Sequence, residues 1–268
     1  MKTISLIVTV ISILYVMSKA VDASEPDWVR RYDCRRAVGP VVIDGVADEF
    51  AWSNAPETGE FTRYQKDGDY TVQYRTTAKM LWDDRYLYIL VVVEDPDIWS
   101  TMKVRDVACL CEEETVEVFI DPDGDGLDYA ELHINCLDTI NDIWIPRVPG
   151  DNGFSNHDGL PVNWLDLYAW NIDGFRHALK NHGTVNNRND TDRGSVFEMA
   201  IPWGGLGKIA GSAVTPPSPG DVWRMNVNRY ERPRSGSDDL ELSGWAPNDL
   251  QSYHVPDRFG YVTFISDY

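Results

Sequence analysis

Positive charge is scarce in this chain: 24 Lys and Arg stand against 43 Asp and Glu in 268 residues, a formal net charge of −19. Nucleic-acid binding rests on Lys and Arg patches laid against phosphate, so that class is excluded, and anionic membranes are disfavoured for the same reason. Long apolar runs are also lacking. The one present, Ile4–Met17 behind Lys2, is too short to span a hydrocarbon layer of about 30 Å. It reads as the core of an export signal, with small-x-small cleavage sites at Ser18-Lys19-Ala20 and Val21-Asp22-Ala23. The expected organisation is a signal peptide over residues 1–23 and one domain over 24–268, secreted to an extracellular or periplasmic space, with no membrane span after cleavage. No GxSxG elbow, metalloprotease helix or phosphate-binding glycine loop occurs.

Cysteine is sparse. Cys34, Cys109, Cys111 and Cys136 allow three pairings in an oxidising compartment, and the sequence selects none of them. Cys109 and Cys111 are two apart; on one face of a strand a bridge between them is strained. The expectation leans to at least one long-range disulfide involving Cys34. With no CxxC pair and only five scattered His, a zinc site of the finger type is not indicated.

What is present is a series of short alternating or aliphatic runs: Val72–Trp82, Tyr86–Glu94, Thr115–Asp121, Tyr129–Asn135, Ser195–Ile201, Val222–Tyr230 and Gly260–Ile265. Asp83-Asp84 and Asp121–Asp128 read as hairpin turns between them. Helical patterns are few, at Asp48–Asn54 and a turn at Trp203–Leu206. This spacing predicts an all-β chain, an antiparallel β-sandwich with a few short helices. The Gly- and Asn-rich stretch Pro146–Tyr168, containing Phe154 and Trp164, reads as a long loop over one end of the sandwich. Ten Trp and thirteen Tyr are many for this length. Trp52, Trp82, Trp203 and Trp223 are expected in the core. Trp99, Trp144, Trp164, Trp170 and Trp245 lie in polar or loop-like surroundings, where an indole face suits a sugar ring.

The most informative segment is Val116–Asn135. Folded about Asp125, it places Val116, Val118 and Ile120 opposite Ile134, Leu132 and Ala130, and Thr115, Glu117 and Phe119 opposite Asn135, His133 and Glu131. One face is then wholly aliphatic, and the other sets Glu117 across from His133 and is expected to face outward. Three readings apply to that polar face. It is a solvated cross-strand pair worth about 0.2–1 kcal/mol. It is a sugar-binding face in which Glu117 accepts hydroxyl hydrogen bonds. Or it is a hydrolytic pair, Glu117 with Glu131 (or Asp106), whose diagonal spacing of up to about 7–8 Å fits a glycosidase. Within the turn, Asp121, Asp123 and Asp125 alternate as at the start of a Ca²⁺ loop, although Leu132 stands where an EF-hand has its bidentate Glu. A solvated hairpin turn is the alternative. Asn189-Asp190-Thr191 is a glycosylation sequon.

Six motifs in order carry a resemblance: IDGVADEFAW (Ile43–Trp52), AKMLWDDRYLYILVVVEDPDIW (Ala78–Trp99), VEVFIDPDGDG (Val116–Gly126), EMAIPW (Glu198–Trp203), WRMNVNRYER (Trp223–Arg232) and SGWAPNDLQSYHVPDRFGYVTF (Ser243–Phe264). Together they resemble carbohydrate-binding module family 9 and its single-domain secreted relatives. The resemblance implies a DOMON-like, jelly-roll-like β-sandwich that binds the ends of glucan or xylan chains and carries structural Ca²⁺. It places the sugar-contacting strand glutamate at Glu117, its partner at His133, and polar strand positions at Asn226 and Asn228. Of the two aromatics that clamp the terminal sugar in such proteins, one falls at Cys111 and the other near Tyr253, so one jaw is missing.

The expected function is therefore non-catalytic binding of poly- or oligosaccharide by a secreted protein, alone or beside a separate glycoside hydrolase in carbohydrate catabolism. The expected contacts are Glu117, His133, Asn135, Asn226 and Arg105, with Tyr253, Trp144 and Trp99 as stacking platforms. A glycoside hydrolase using Glu117 and a structural extracellular interaction domain are the alternatives.

Overall fold

The computed structural model of the chain describes residues 28–64, 71–106, 109–150, 153–232, 240–250 and 252–266. The expected export segment lies outside the described residues. The strands are β1 (Arg31–Arg36), β2 (Thr62–Arg63), β3 (Thr76–Trp82), β4 (Tyr86–Val93), β5 (Thr115–Asp121), β6 (Leu127–Asn135), β7 (Ile140–Arg147), β8 (Arg176–Asn181), β9 (Ser195–Pro202), β10 (Val222–Glu231), β11 (Glu241–Gly244) and β12 (Gly260–Ile265). Two short helices, α1 (Phe50–Asn54) and α2 (Trp164–Tyr168), and three 3-10 turns complete the described elements.

The strands form one ladder in the order β7-β6-β5-β10-β12-β1-β3-β4-β9-β8, with β11 beside β10 and β2 beside β11. The ladder curls so that its two arms face each other. Val118, Leu132 and Val227 from one arm share a core with Met80, Ile89 and Met199 from the other. This is the expected β-sandwich, with one difference: the sheet is mixed. β1 pairs parallel with both β12 and β3, whereas every other described pairing is antiparallel.

Local chemistry explains most elements. The β3–β4 turn closes as expected, with Asp83 Oδ1 accepting from the backbone N–H of Arg85 at 2.7 Å and of Tyr86 at 2.8 Å. Gly124 and Gly126 hold φ of 70° and 80° in the β5–β6 turn, a region that a side chain strains. Trp52, Trp82, Trp203 and Trp223 are buried, as is Trp245, which had been grouped with the loop aromatics. β1 escaped the sequence reading because RYDCRR is mostly charged; only Tyr32 and Cys34 turn inward. The Pro146–Tyr168 stretch carries the end of β7 and the whole of α2.

The disulfide expectation is corrected. Cys109 and Cys111 are bonded to each other, and Cys34 and Cys136 are free and buried. The pair does not lie on a strand. It brackets Leu110 at the start of a 3-10 turn, which brings the Cα atoms to 5.0 Å, within bridging range.

Leu132 is buried among the aliphatic residues of the core. Leu132→Ala is expected to cost about 2–5 kcal/mol in urea unfolding, through lost transfer energy and the cavity left behind. A loss below that range would mean that this arm of the sheet is not close-packed.

Candidate functional site

The hairpin register is the expected one: Thr115↔Asn135, Val116↔Ile134, Glu117↔His133, Val118↔Leu132, Phe119↔Glu131 and Ile120↔Ala130. Because strand side chains alternate, this sends the aliphatic set into the main core and sets Glu117, His133 and Glu131 on the opposite face. β10 adds Asn228 opposite Glu117, Asn226 opposite Phe119 and Tyr230 opposite Thr115.

That face is not turned openly to solvent, contrary to expectation. Glu117 and His133 are each 1% exposed. A second apolar cluster covers the hairpin, built from Ile143, Ile145, Leu167, Tyr168, Tyr64 and Tyr253, with Phe154 and Val162 packed against it. The stretch after β7 thus lies over the sheet face rather than over one end of the sandwich.

A chain of titratable groups runs beneath this cover. His133 Nε2 bonds to Glu131 Oε1 at 2.8 Å and stands 3.3 Å from Glu117 Oε1. His254 Nε2 is 3.7 Å from Glu131 Oε2, and its Nδ1 bonds to the Tyr129 hydroxyl at 2.8 Å. Both Glu117 oxygens and His133 Nδ1 are buried without a hydrogen-bond partner. Burial pushes Glu117 up to about 8, against the pull of His133. Burial also pulls His133 down, but Glu117 and Glu131 outweigh it and raise it to about 9. Burial raises Glu131 as well, but the charges of His254 and His133 leave it below its ordinary value. Burial lowers His254.

A cleft of about 440 Å³ opens above these groups. Glu131, His133 and His254 form its polar floor; Phe154, Trp164, Tyr168 and Tyr230 line its sides, and the Cys109–Cys111 disulfide forms one wall. Trp164 is 45% exposed and meets Tyr168 edge-on, with ring centroids 5.4 Å apart. An apolar concavity with a few convergent polar groups is the usual form of a small-ligand site.

The structure brings only some of the expected contacts together. His133 lines the cleft and Glu117 lies beneath it. Asn135 is consumed by its own loop, donating to Ser100 Oγ and the Met102 carbonyl and accepting from the N–H of Leu137 and Thr139. Asn226 is likewise spent on Tyr64 and Ala246. Tyr253 is buried, its hydroxyl donating to the Arg229 carbonyl at 2.5 Å, so it offers no open ring face. Trp144 pairs with Ala130 and therefore points to the other face of the sheet, where its Nε1 donates to Asp128 and Lys208 stands over its ring. Trp99 donates to the Arg232 carbonyl and does not line the cleft. Arg105 is bound to Asp106 and Asp142 beside a separate surface depression shared with Lys103 and His177.

Asp121, Asp123 and Asp125 do converge, with one carboxylate oxygen from each within 4.8 Å of the others. Each already accepts backbone N–H bonds: Asp121 from Gly124 and Gly126, Asp123 from Ser212, Asp125 from Leu127. Oxygens of this kind keep a second lone pair, so the donor set fits a hard cation such as Ca²⁺.

The sequence reading missed Tyr168, Tyr230 and His254, left Phe154 as an unspecified loop aromatic, and placed Trp164 among the indoles suited to a sugar ring without making it one of the expected contacts. Tyr230 had a signal, since it continues the two-residue period of Asn226 and Asn228. His254 had none, because its place depends on how the segment before β12 folds back.

Residues 43–134 match the family described as "Carbohydrate family 9 binding domain-like". The chain is 32% identical over 227 residues to endo-1,4-beta-xylanase A of Thermotoga maritima, covering 85% of this chain and 17% of that protein. It is 30% identical over 165 residues to endo-1,4-beta-xylanase A of Thermoanaerobacterium saccharolyticum, covering 62% and 11%. The chain thus spans less than a fifth of the length of these curated relatives. In structure it is similar to a carbohydrate binding module family 9 from Caldicellulosiruptor kristjanssonii in complex with cellotriose, at TM-score 0.57 and 18% identity over 89% of this chain and 95% of that one. A carbohydrate binding module family 9 from the same organism in complex with glucose gives 0.55 and 17%, over 89% and 97%. At these identities the structural likeness establishes the fold, and the resemblance drawn from the six motifs holds.

The buried cluster sets a pH dependence. His133 is raised above its ordinary 6.5, so its stabilising contribution is complete below pH 6.5 and is lost as pH rises through about 9. Glu117, raised above 4.5, acts with the same sign. In chelator-containing buffer the urea midpoint is expected to fall between pH 6.5 and about 9, and His133→Gln to flatten that slope. A midpoint that rises with pH across this window contradicts the assignment.

Proposed function

We propose that this chain, which carries a carbohydrate family 9 binding domain-like segment, binds an oligosaccharide or the end of a polysaccharide in the cleft above Glu131 and His133. The observation that supports this most is the pairing of aromatic walls with a polar floor on a rigid sheet. Trp164 and Tyr230 offer ring faces for the apolar side of a sugar, and Glu131, His133 and His254 offer hydrogen bonds to its hydroxyls. The disulfide takes the place in which the family resemblance sets one aromatic jaw, and Trp164, from the α2 segment, supplies a replacement. The protein is proposed to be exported, in keeping with its N-terminal sequence and its disulfide, and to serve glycan capture beside a separate glycoside hydrolase.

One observation favours a second, hydrolytic reading. Glu117 is pushed up while Glu131 is pulled down, the split expected of an acid and a base. Against it, Glu117 does not line the cleft.

Calcium at Asp121, Asp123 and Asp125 belongs to the same proposal as a structural element. Added CaCl₂ is expected to raise the melting temperature and EGTA to lower it, and Asp121→Asn to remove the difference. An identical melting temperature in both buffers removes calcium from the account.

Affinity electrophoresis and calorimetry with cello- and xylo-oligosaccharides test the main reading. Trp164→Ala is expected to weaken binding about tenfold, or about 1.4 kcal/mol, with no release of reducing sugar from either protein. Release abolished by Glu117→Gln establishes the hydrolytic reading instead, and neither retardation nor release leaves a structural domain.

A further inference from the structure

Beneath the floor of the cleft lies a carboxyl group, Glu117, to which no neighbouring side chain gives a hydrogen bond. Glu117 and Glu131 are buried together with a single imidazole between them. His133 Nε2 carries at most one hydrogen, and geometry commits it to Glu131. Glu117, 1% exposed, is left with both oxygens unpartnered. A buried carboxylate in that state calls for a compensating partner.

The spacing of the three groups indicates what kind. One donor atom from each of Glu117, Glu131 and His133 lies within 4.8 Å of the others. Nε2 stands 2.8 Å and 3.3 Å from the two carboxylate oxygens. Donors around an ion bound at about 2.0–2.2 Å are separated by about 3–3.5 Å along the edges of a tetrahedron or octahedron. Imidazole with carboxylate suits zinc and its first-row neighbours rather than calcium, and the nearby thiols are closed in a disulfide and unavailable as ligands.

We propose that Glu117, Glu131 and His133 form a site for a divalent first-row transition ion of the zinc class. Three protein ligands leave a coordination position open, and because Glu131 and His133 line the cleft, that position faces the ligand space. His254, 3.7 Å from Glu131 through its Nε2 and anchored by Tyr129 at its Nδ1, is the positioning residue for the Glu131 carboxylate. An ion bound here meets both carboxylates in their ionised form. The site stands independently of the saccharide reading, since no sugar is needed to fill it.

The test is calorimetric titration of the chelator-stripped full chain with zinc chloride, without sugar. One ion per chain is expected, with affinity weakened by at least about tenfold in Glu117→Gln and in His133→Gln and kept in Asp121→Asn. X-ray absorption of the zinc-loaded unmodified chain provides a readout that does not depend on the variants folding; it is expected to show nitrogen and oxygen donors and no sulfur. Absence of stoichiometric binding, binding untouched by Glu117→Gln, loss in Asp121→Asn, or a sulfur shell each overturns the proposal. Sugar retardation measured with and without zinc then judges the saccharide reading separately.

Discussion

The register of the β5–β6 hairpin is the constraint on which the rest depends. A slip of one residue would drive Glu117, His133 and Glu131 into the space held by Met80, Ile89 and Met199, and would turn Val118 and Leu132 toward the cleft. The aliphatic face makes that slip prohibitive, since several residues of 1% exposure or less would leave the core together. The core on one side of the sheet therefore fixes the chemistry on the other, and the polar cluster adds its own ties, His133 to Glu131 and His254 to the Tyr129 hydroxyl, each at 2.8 Å.

This explains which features the sequence made legible. The hairpin register, the bounds of β5 and β12, and the Asp83 turn follow from alternation and turn chemistry within a few residues, and they appear as expected. The aliphatic and polar faces were likewise local information. What covers the polar face was not. Tyr253 lies more than a hundred residues from Glu117 in sequence, and nothing in the strand pattern says that it folds back to roof the acid. Burial by distant segments also accounts for the failed stacking assignments: Tyr253 became a buried anchor, and Trp144 sits one residue out of phase with the cleft face.

The same argument separates polar residues that bind from those that build. Asn135 and Asn226 occupy the correct face and still contribute nothing to the cleft, because their hydrogen bonds go to backbone groups and to the Ser100 and Tyr64 hydroxyls. Glu117 and His133 retain unpartnered atoms in a comparable setting. The unsatisfied atoms gather at the centre of this face, on Glu117, His133 and the Asn228 amide opposite Glu117, while Asn135 and Asn226 at its margins close the fold.

The parallel seam at β1 has a further consequence, for how the molecule comes into being. Arg31 lies beside Tyr261 and Cys34 beside Phe264, so this pairing joins β1 to the strand most distant from it along the described chain, whereas its pairing with β3 is confined to Arg35 and Arg36. Chains whose closing contacts join remote positions fold slowly. A polypeptide built this way keeps that seam open until β12 has been made, and the union of β1 with β12 then acts as a clasp on the arms already formed.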